Sequence, residues 1–139
     1  MTKVKGVVLG ALLAALVADP AARATDFDGS KPLVCAAIEA VSCRADVACK
    51  RGTAESLGIP QFFWFDLGAK TIAEKGLDGQ IRASAIQAVT QGPAYVIVQG
   101  AKDNLGWSGT ISKMSGKLTL TGSDGAAALT VFGACTPAK

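Results

Sequence analysis

The sequence contains no histidine among its 139 residues. This absence excludes Ser-His-Asp and Cys-His catalytic arrangements, and it removes the commonest nitrogen ligand of protein-bound metals. The chain is also poor in charge, with 18% charged residues, and its carboxylates are spread along it, so no pair of them is expected to act together. We therefore predict a protein that is not an enzyme, with no catalytic residues, no cofactor and no bound metal.

The chain also lacks an apolar run long enough to span a bilayer. Its longest such run, residues 7–18, has 12 residues, whereas a membrane helix needs about 20. Two lysines precede this run and Ala22-Arg23-Ala24 follows it. A basic start, a short apolar stretch and an A-x-A site are typical of a secretory signal peptide. We predict a signal peptide at 1–24, with cleavage after Ala24, and a single exported β-rich domain at 25–139.

The positive charge of the chain belongs mostly to this predicted signal. The full sequence has 14 basic and 11 acidic residues, of which three basic and one acidic lie before residue 25. The remaining chain has a net charge of only +1, and its charges are scattered. Nucleic-acid binding requires a clustered basic surface, so no nucleic-acid partner is predicted.

All four cysteines, Cys35, Cys43, Cys49 and Cys135, follow the predicted signal. An even number in a small exported chain indicates disulfides. Of the three possible pairings, the one that joins Cys35 to Cys43 is disfavoured, because eight residues span about 27 Å in a strand or about 12 Å in a helix, and a disulfide needs Cα atoms within about 7 Å. The most economical set is Cys43–Cys49 with Cys35–Cys135. Zinc is a poor alternative without histidine or C-x-x-C spacing.

From residue 61 onward the sequence predicts β-structure. The clearest strand places Leu105, Trp107, Gly109 and Ile111 on one face, with glycine, serine and threonine between them. Turn residues separate the predicted strands at 68–69, 76–79, 92–93, 103–104, 113–116 and 122–125. A single strand with a bulge near Ile86 is expected at 80–89. We predict an all-β fold, a small antiparallel meander of about 8 strands that closes into a β-barrel or a sandwich.

Residues 30–60 are compatible with two structures. Apolar residues at 33, 34, 37, 38 and 41 repeat at helical spacing, which allows a short helix within 30–45. The same residues can form a buried strand, with Cys43–Cys49 closing a hairpin to the next strand. We favour the strand.

The aromatic run at 61–67 supplies two candidate binding residues, Phe62 and Trp64. In a strand, alternation separates two faces, Phe63, Phe65 and Leu67 on one and Phe62, Trp64 and Asp66 on the other. The favoured interpretation packs the second face under residues 30–60. The alternative leaves it exposed as a contact site.

Trp107 is the third candidate, because it alternates in phase with Leu105 and Ile111. We expect it inside the fold, in the core or lining a cavity. Gly100 and Gly109 lie on predicted strands and are expected to leave room in the interior.

Several segments resemble a family of short, exported, disulfide-containing proteins of Gram-negative bacteria with no established function. They are DFDGSKPL (26–33), Cys43 with Cys49, GTAES (52–56), PQFF (60–63), Gly106-Trp107 and FGACT (132–136). The resemblance covers nearly the whole chain after the predicted signal. It implies a periplasmic location, disulfides and β-structure, and it supports a strand within 30–45.

Together these observations predict a periplasmic, non-enzymatic β-barrel that binds a small apolar ligand or an envelope component. The alternative is a protein-contact module, such as an inhibitor of a cell-wall hydrolase, acting through its loops and the face that carries Phe62 and Trp64. A hydrolase that uses carboxylates is a third and weaker alternative. No membrane span is expected after removal of the signal peptide.

Overall fold

The computed structural model describes residues 26–139. It contains ten strands, and no α-helix occurs within this range. The predicted signal peptide and its cleavage site lie outside the described residues. The strands are β1 (Leu33–Arg44), β2 (Val47–Gly52), β3 (Phe62–Asp66), β4 (Thr71–Lys75), β5 (Ile81–Ala85), β6 (Ala88–Gln91), β7 (Tyr95–Lys102), β8 (Leu105–Ser112), β9 (Lys117–Ser123) and β10 (Ala127–Pro137). A 3-10 turn at Glu55–Leu57 lies between β2 and β3.

The ten strands form one antiparallel sheet that curls into a half-barrel. Its order is β5-β4-β3-β1-β10-β9-β8-β7-β6, and β2 pairs with β1 outside this path. The all-β antiparallel prediction is confirmed, although the number of strands is ten rather than about eight. The first and last strands of the order, β5 and β6, are consecutive in the chain, so the chain itself connects the two ends of the curl.

The expected single strand at 80–89 is wrong. The chain forms β5 and β6 instead, and it leaves the ladder at Ile86 and Gln87. The Ile86 N–H donates to the Lys70 carbonyl oxygen at 2.8 Å and the Gln87 N–H donates to the Gln99 carbonyl oxygen at 2.8 Å. Ile86 is buried in the core. The residue that is out of phase in the sequence thus marks the corner where the chain passes from one end of the sheet to the other.

A short helix within 30–45 is also wrong, because these residues form β1, the longest strand. Leu33, Cys35 and Ala40 are fully buried, and the register with β10 shifts between Ala37 and Glu39. The bulge adds one residue, Ile38, whose side chain is 64% exposed. A bulge shifts the phase of alternation by one. Apolar residues also occupy both faces of β1 before the bulge, so strict alternation is absent and the spacing resembles that of a helix.

The two predicted disulfides are present. Cys35 and Cys135 face each other across β1 and β10, with Cα atoms 3.9 Å apart and a sequence separation of 100. Cys43 and Cys49 join β1 to β2, with Cα atoms 4.2 Å apart. No free cysteine remains in the part of the chain that the structure describes. Stable disulfides of this kind suggest a non-reducing, exported environment.

The inner face of the curl carries the core, and one end of it is filled. Leu33, Phe65, Val96, Ile111 and Leu118 pack there. The N-terminal segment closes this end. Phe27 packs against the core, and its ring is so close to Gly116 that a Cβ at this position would lie 2.7 Å from Phe27 Cε1.

Within residues 26–139, no helix is long and apolar enough to cross a membrane.

Candidate functional site

The other end of the half-barrel contains a cavity of about 310 Å³. Its floor and walls are mainly apolar, and its opening is formed by the ends of strands and the turns between them. The apolar side chains that line it are Ile59, Phe63, Ile72, Leu105, Trp107, Leu120 and Leu129. The charged residues at its edge are Glu74, Arg82, Lys102 and Asp103.

Strand register explains why residues so far apart in the sequence line one cavity. Trp107 on β8 lies opposite Gly122 on β9, and Gly122 lies opposite Leu129 on β10. Residues directly opposite in a ladder point to the same face, so all three positions face inward. Gly122 has no side chain, and the space beside it is open enough that a Cβ would lie 3.5 Å from Leu105 Cδ1.

Trp107 lies where the sequence predicted, half-buried against the core and lining the cavity. Its indole covers Gly100 on β7, because a Cβ at Gly100 would lie 2.6 Å from Trp107 Cε2. The space beside Gly109 is also occupied, since a Cβ at this position would lie 3.0 Å from Val98 Cγ2. The expectation that these two glycines leave room inside is therefore wrong. Side chains fill both places, and the empty space lies nearer the open end.

One side of the opening carries one cation and two carboxylates. Arg82 on β5 is paired with Asp78 in the β4–β5 turn, and its second guanidinium nitrogen donates to Asp78 Oδ1 at 3.2 Å. The hydrogen bond from Arg82 holds the pKa of Asp78 below its usual value, and Asp78 in turn raises the pKa of Arg82. Glu74 lies directly opposite Arg82 in the β4–β5 ladder, and its charge also favours the protonated Arg82.

The next part of the opening is the turn between β7 and β8. Asp103 and Asn104 both have positive φ angles, 50° and 68°. Such angles at two central residues are those of a tight hairpin turn. Lys102, the last residue of β7, precedes this turn, lies opposite Leu105 and lines the cavity.

Phe62 and Trp64 lie on the opposite, outer face of the sheet, away from Trp107. Their ring centroids are 6.4 Å apart with planes inclined by 44°. Phe62 is 45% exposed and Trp64 is half-buried. The structure does not support the favoured interpretation that residues 30–60 cover this face, because β1 pairs beside β3 rather than over it.

The structure therefore separates the three candidate residues into two sites. Trp107 belongs to the inner cavity, and Phe62 and Trp64 belong to the outer face. The other cavity residues were missed because they come from strands whose register the sequence does not reveal. One signal was available, since Lys102 continues the period-two series of Val96 and Val98 on β7.

No group of three or more histidine, cysteine, aspartate or glutamate residues that could hold a metal ion occurs in residues 26–139. Comparisons with protein-family models, with curated proteins and with solved structures found no match for the chain.

Proposed function

We propose that this protein is a non-enzymatic binding protein of the periplasm, which holds a small apolar molecule in the cavity at the open end of the half-barrel. The observation that carries the proposal is the contrast between the two ends of the curl. One end is filled by core side chains and Phe27, whereas the other keeps a cavity of about 310 Å³ beside Trp107. Binding sites for small molecules are typically apolar cavities with a few polar groups at their edge.

The size of the cavity limits the ligand. Sites for drug-sized ligands have volumes of about 300–1,000 Å³, and this cavity lies near the lower limit. The ligand is therefore small, of the size of a short acyl chain or of two to three aromatic rings. A long lipid would have to leave much of its length outside.

The proposed location is supported by two independent features. The disulfides indicate a non-reducing environment, and the sequence before residue 25 has the pattern of a secretory signal peptide. The resemblance to exported proteins of Gram-negative bacteria adds the periplasm as the compartment. Intact-mass measurement of the exported protein tests this proposal, since it requires a chain that begins at Thr25.

A cavity-filling substitution tests the binding function. Gly122→Leu places a leucine side chain in the cavity, next to Leu105, at a position where a Cβ makes ordinary contact. We expect it to abolish binding of a small neutral fluorescent probe, 1-N-phenylnaphthylamine, without loss of stability. Gly106→Leu is the matched control, because it adds the same side chain one position away on the outer face of the neighbouring strand.

The two variants must differ for the proposal to stand. If Gly122→Leu bound the probe as tightly as the wild-type protein does, the probe would bind outside the cavity. Absence of probe binding by the wild-type protein, together with no small molecule detected by mass spectrometry after native purification, would contradict a ligand-binding function.

A second candidate function is contact with an envelope protein, such as a cell-wall hydrolase that the protein inhibits. The observation that favours it is an apolar outer patch formed by Ile38, Phe62, Trp64 and Phe132, three of which are more than 40% exposed. Exposed apolar patches often mark contact sites. Phe62→Ser should then weaken inhibition of peptidoglycan hydrolysis, and an equal effect of wild type and variant would argue against this function.

A further inference from the structure

Lys102 is a charged residue at a position that otherwise carries the core. On β7 the inward residues are Val96, Val98 and Gly100, and the next inward position is Lys102. Its side chain is half-buried and lines the cavity. It forms no salt bridge with any residue from 26 to 139. A lysine stem can lie on apolar surface while its ammonium stays in water, and no buried side-chain nitrogen or oxygen in residues 26–139 lacks a hydrogen-bond partner. The Lys102 ammonium therefore reaches solvent at the opening, where a ligand in the cavity can contact it.

Arg82, the other cation at the opening, is already engaged. β5 lies against β7 near the corner at Ile86, since a Cβ at Gly100 would lie 2.7 Å from the Ala85 carbonyl oxygen. This brings the side of the cavity that carries Arg82 and Ser84 next to the side that carries Lys102. Arg82 is paired with Asp78, as described above, so Lys102 is the cation available to a ligand.

The acidic residues at the opening do not form a salt bridge with Lys102. Glu74 lies across the β4–β5 ladder from Arg82 and forms no salt bridge with any residue from 26 to 139, Lys102 included. Asp103 lies in the exposed turn after β7 and forms no salt bridge with Lys102 in the described part of the chain.

We infer that the ligand is a small amphiphilic monocarboxylate, with its apolar body against Trp107 and Leu120 and its carboxylate on the Lys102 ammonium. This inference rests on the proposed binding function and adds the polarity of the ligand. Hydrogen bonds between an ammonium group and a carboxylate are among the stronger ones in proteins. Because Lys102 is only half-buried, solvent screens the pair and reduces its contribution.

Three probes with the same eight-carbon chain separate the polar group from the apolar body. They are octanoate, octanol and octyltrimethylammonium, and each is used to displace 1-N-phenylnaphthylamine from the wild-type protein at pH 7. We expect octanoate to bind more tightly than octanol by about fivefold, the ratio that corresponds to a partly screened ion pair of about 1 kcal/mol. Octyltrimethylammonium should bind most weakly.

Lys102→Met tests the residue. Methionine keeps an unbranched apolar stem in the same place and removes the charge, so folding should be preserved, and thermal unfolding measures whether it is. We expect octanoate affinity to fall about fivefold, to the level of octanol, while octanol affinity stays unchanged. Lys75→Met is the matched control. It removes the same charge from the same end of the sheet, but Lys75 is exposed and points to the outer face.

The failure of this inference is distinct from the failure of the proposed function. Equal binding of octanoate and octanol, unaffected by Lys102→Met but abolished by Gly122→Leu, would leave an apolar site and overturn the carboxylate. A preference for octyltrimethylammonium would also overturn it and would make Glu74 the group that the ligand contacts. If Lys75→Met lowered octanoate affinity as much as Lys102→Met, the net charge of the protein alone would explain the loss, and the contact with Lys102 would be overturned. Absence of binding for all three probes would overturn both proposals.

Discussion

The indole of Trp107 on β8 occupies the place that a side chain at Gly100 on β7 would fill. The two residues face each other in the ladder, and a Cβ at Gly100 would lie 2.6 Å from Trp107 Cε2 and 2.7 Å from the Ala85 carbonyl oxygen. The second of these contacts is with backbone, which cannot move away as a side chain can. Gly100 thus positions the aromatic wall of the cavity and allows β5 to approach β7.

Gly100→Ala should therefore be destabilising. Inserting a methyl group into a packed site costs about 1–3 kcal/mol, and here either the indole or the corner of the sheet must shift. Chemical denaturation measures the loss, and the emission of Trp107 in a Trp64→Phe background reports whether the indole moves. Gly106→Ala is the control, because a Cβ there meets only the Ser123 carbonyl oxygen at 4.0 Å. Equal stability of the two variants would show that the site over Gly100 is not tightly packed.

The two tryptophans should differ in their contribution to stability. Trp107 packs against the core and covers Gly100, so Trp107→Ala removes a cavity wall and should cost about 3 kcal/mol, the lower end of the range for aromatic truncation. Trp64 lies half-buried on the outer face, and Trp64→Ala should cost about 1 kcal/mol. Chemical denaturation with both disulfides intact compares them. A loss at Trp64 as large as that at Trp107 would argue against a contact function for the outer face.

The two disulfides should contribute unequally to the free energy of unfolding. Cys35–Cys135 closes a loop of 100 residues, for which loss of chain entropy in the unfolded state corresponds to about 4–5 kcal/mol. Cys43–Cys49 closes a loop of 6 residues, which corresponds to about 2 kcal/mol in the same treatment. Cys35→Ala with Cys135→Ala should thus lower stability more than Cys43→Ala with Cys49→Ala. The reverse order in equilibrium denaturation would contradict this expectation.

Three aspartates in turns should make the protein less stable in acid. Hydrogen bonds from Ser30 lower the pKa of Asp28, the hydrogen bond from Arg82 lowers that of Asp78, and two backbone N–H groups lower that of Asp124. A carboxylate whose pKa is lower in the folded state contributes stability above its unfolded-state pKa, about 3.9 for aspartate. This contribution is lost as the pH falls through the lowered folded-state pKa.

Asp124→Asn tests one of these contributions in isolation. Wild type should lose stability below about pH 4 more steeply than the variant, because the variant has no carboxylate to protonate at this turn. Thermal unfolding across this range measures the slopes. Asp46→Asn, which removes the same charge from an exposed aspartate in the β1–β2 turn, is the comparison. Identical slopes for wild type and Asp124→Asn would contradict the assignment.

Local patterns predicted most of the fold because strand alternation and turn chemistry are short-range. The series from Leu105 to Ile111 became β8, the Asp103-Asn104 turn precedes it, and the predicted turn at 113–116 ends at Gly116, which has a positive φ of 66°. The errors lie where a strand departs from strict alternation. Apolar residues on both faces of β1 gave it a helix-like spacing, and the corner at Ile86 made two strands look like one.

The candidate site was less predictable than the fold, because a cavity depends on register between strands that are distant in the sequence. Trp107 could be placed inside from its own strand. Its neighbours across the cavity, such as Ile72 and Leu129, are apolar residues on strands of their own, and nothing in the sequence shows that they meet. The outer position of Phe62 could not be predicted, because the sequence does not show which segment pairs beside β3 and which passes over it.

The central pairing of β1 with β10 also determines when the protein can fold. These strands form the longest ladder of the sheet. Cys35 and Cys135, which face each other in this ladder, are separated by 100 residues in the sequence. Contacts of such long range slow folding, because the loop must close before the contact can stabilise it. One edge of β1 can pair early with β2 and β3, but its other edge has to wait for β10, the last strand of the described chain. Each folding event therefore includes an interval in which this edge of the first strand is unpaired, and unpaired strand edges are sites of aggregation. A chaperone that covers this edge would act during that interval.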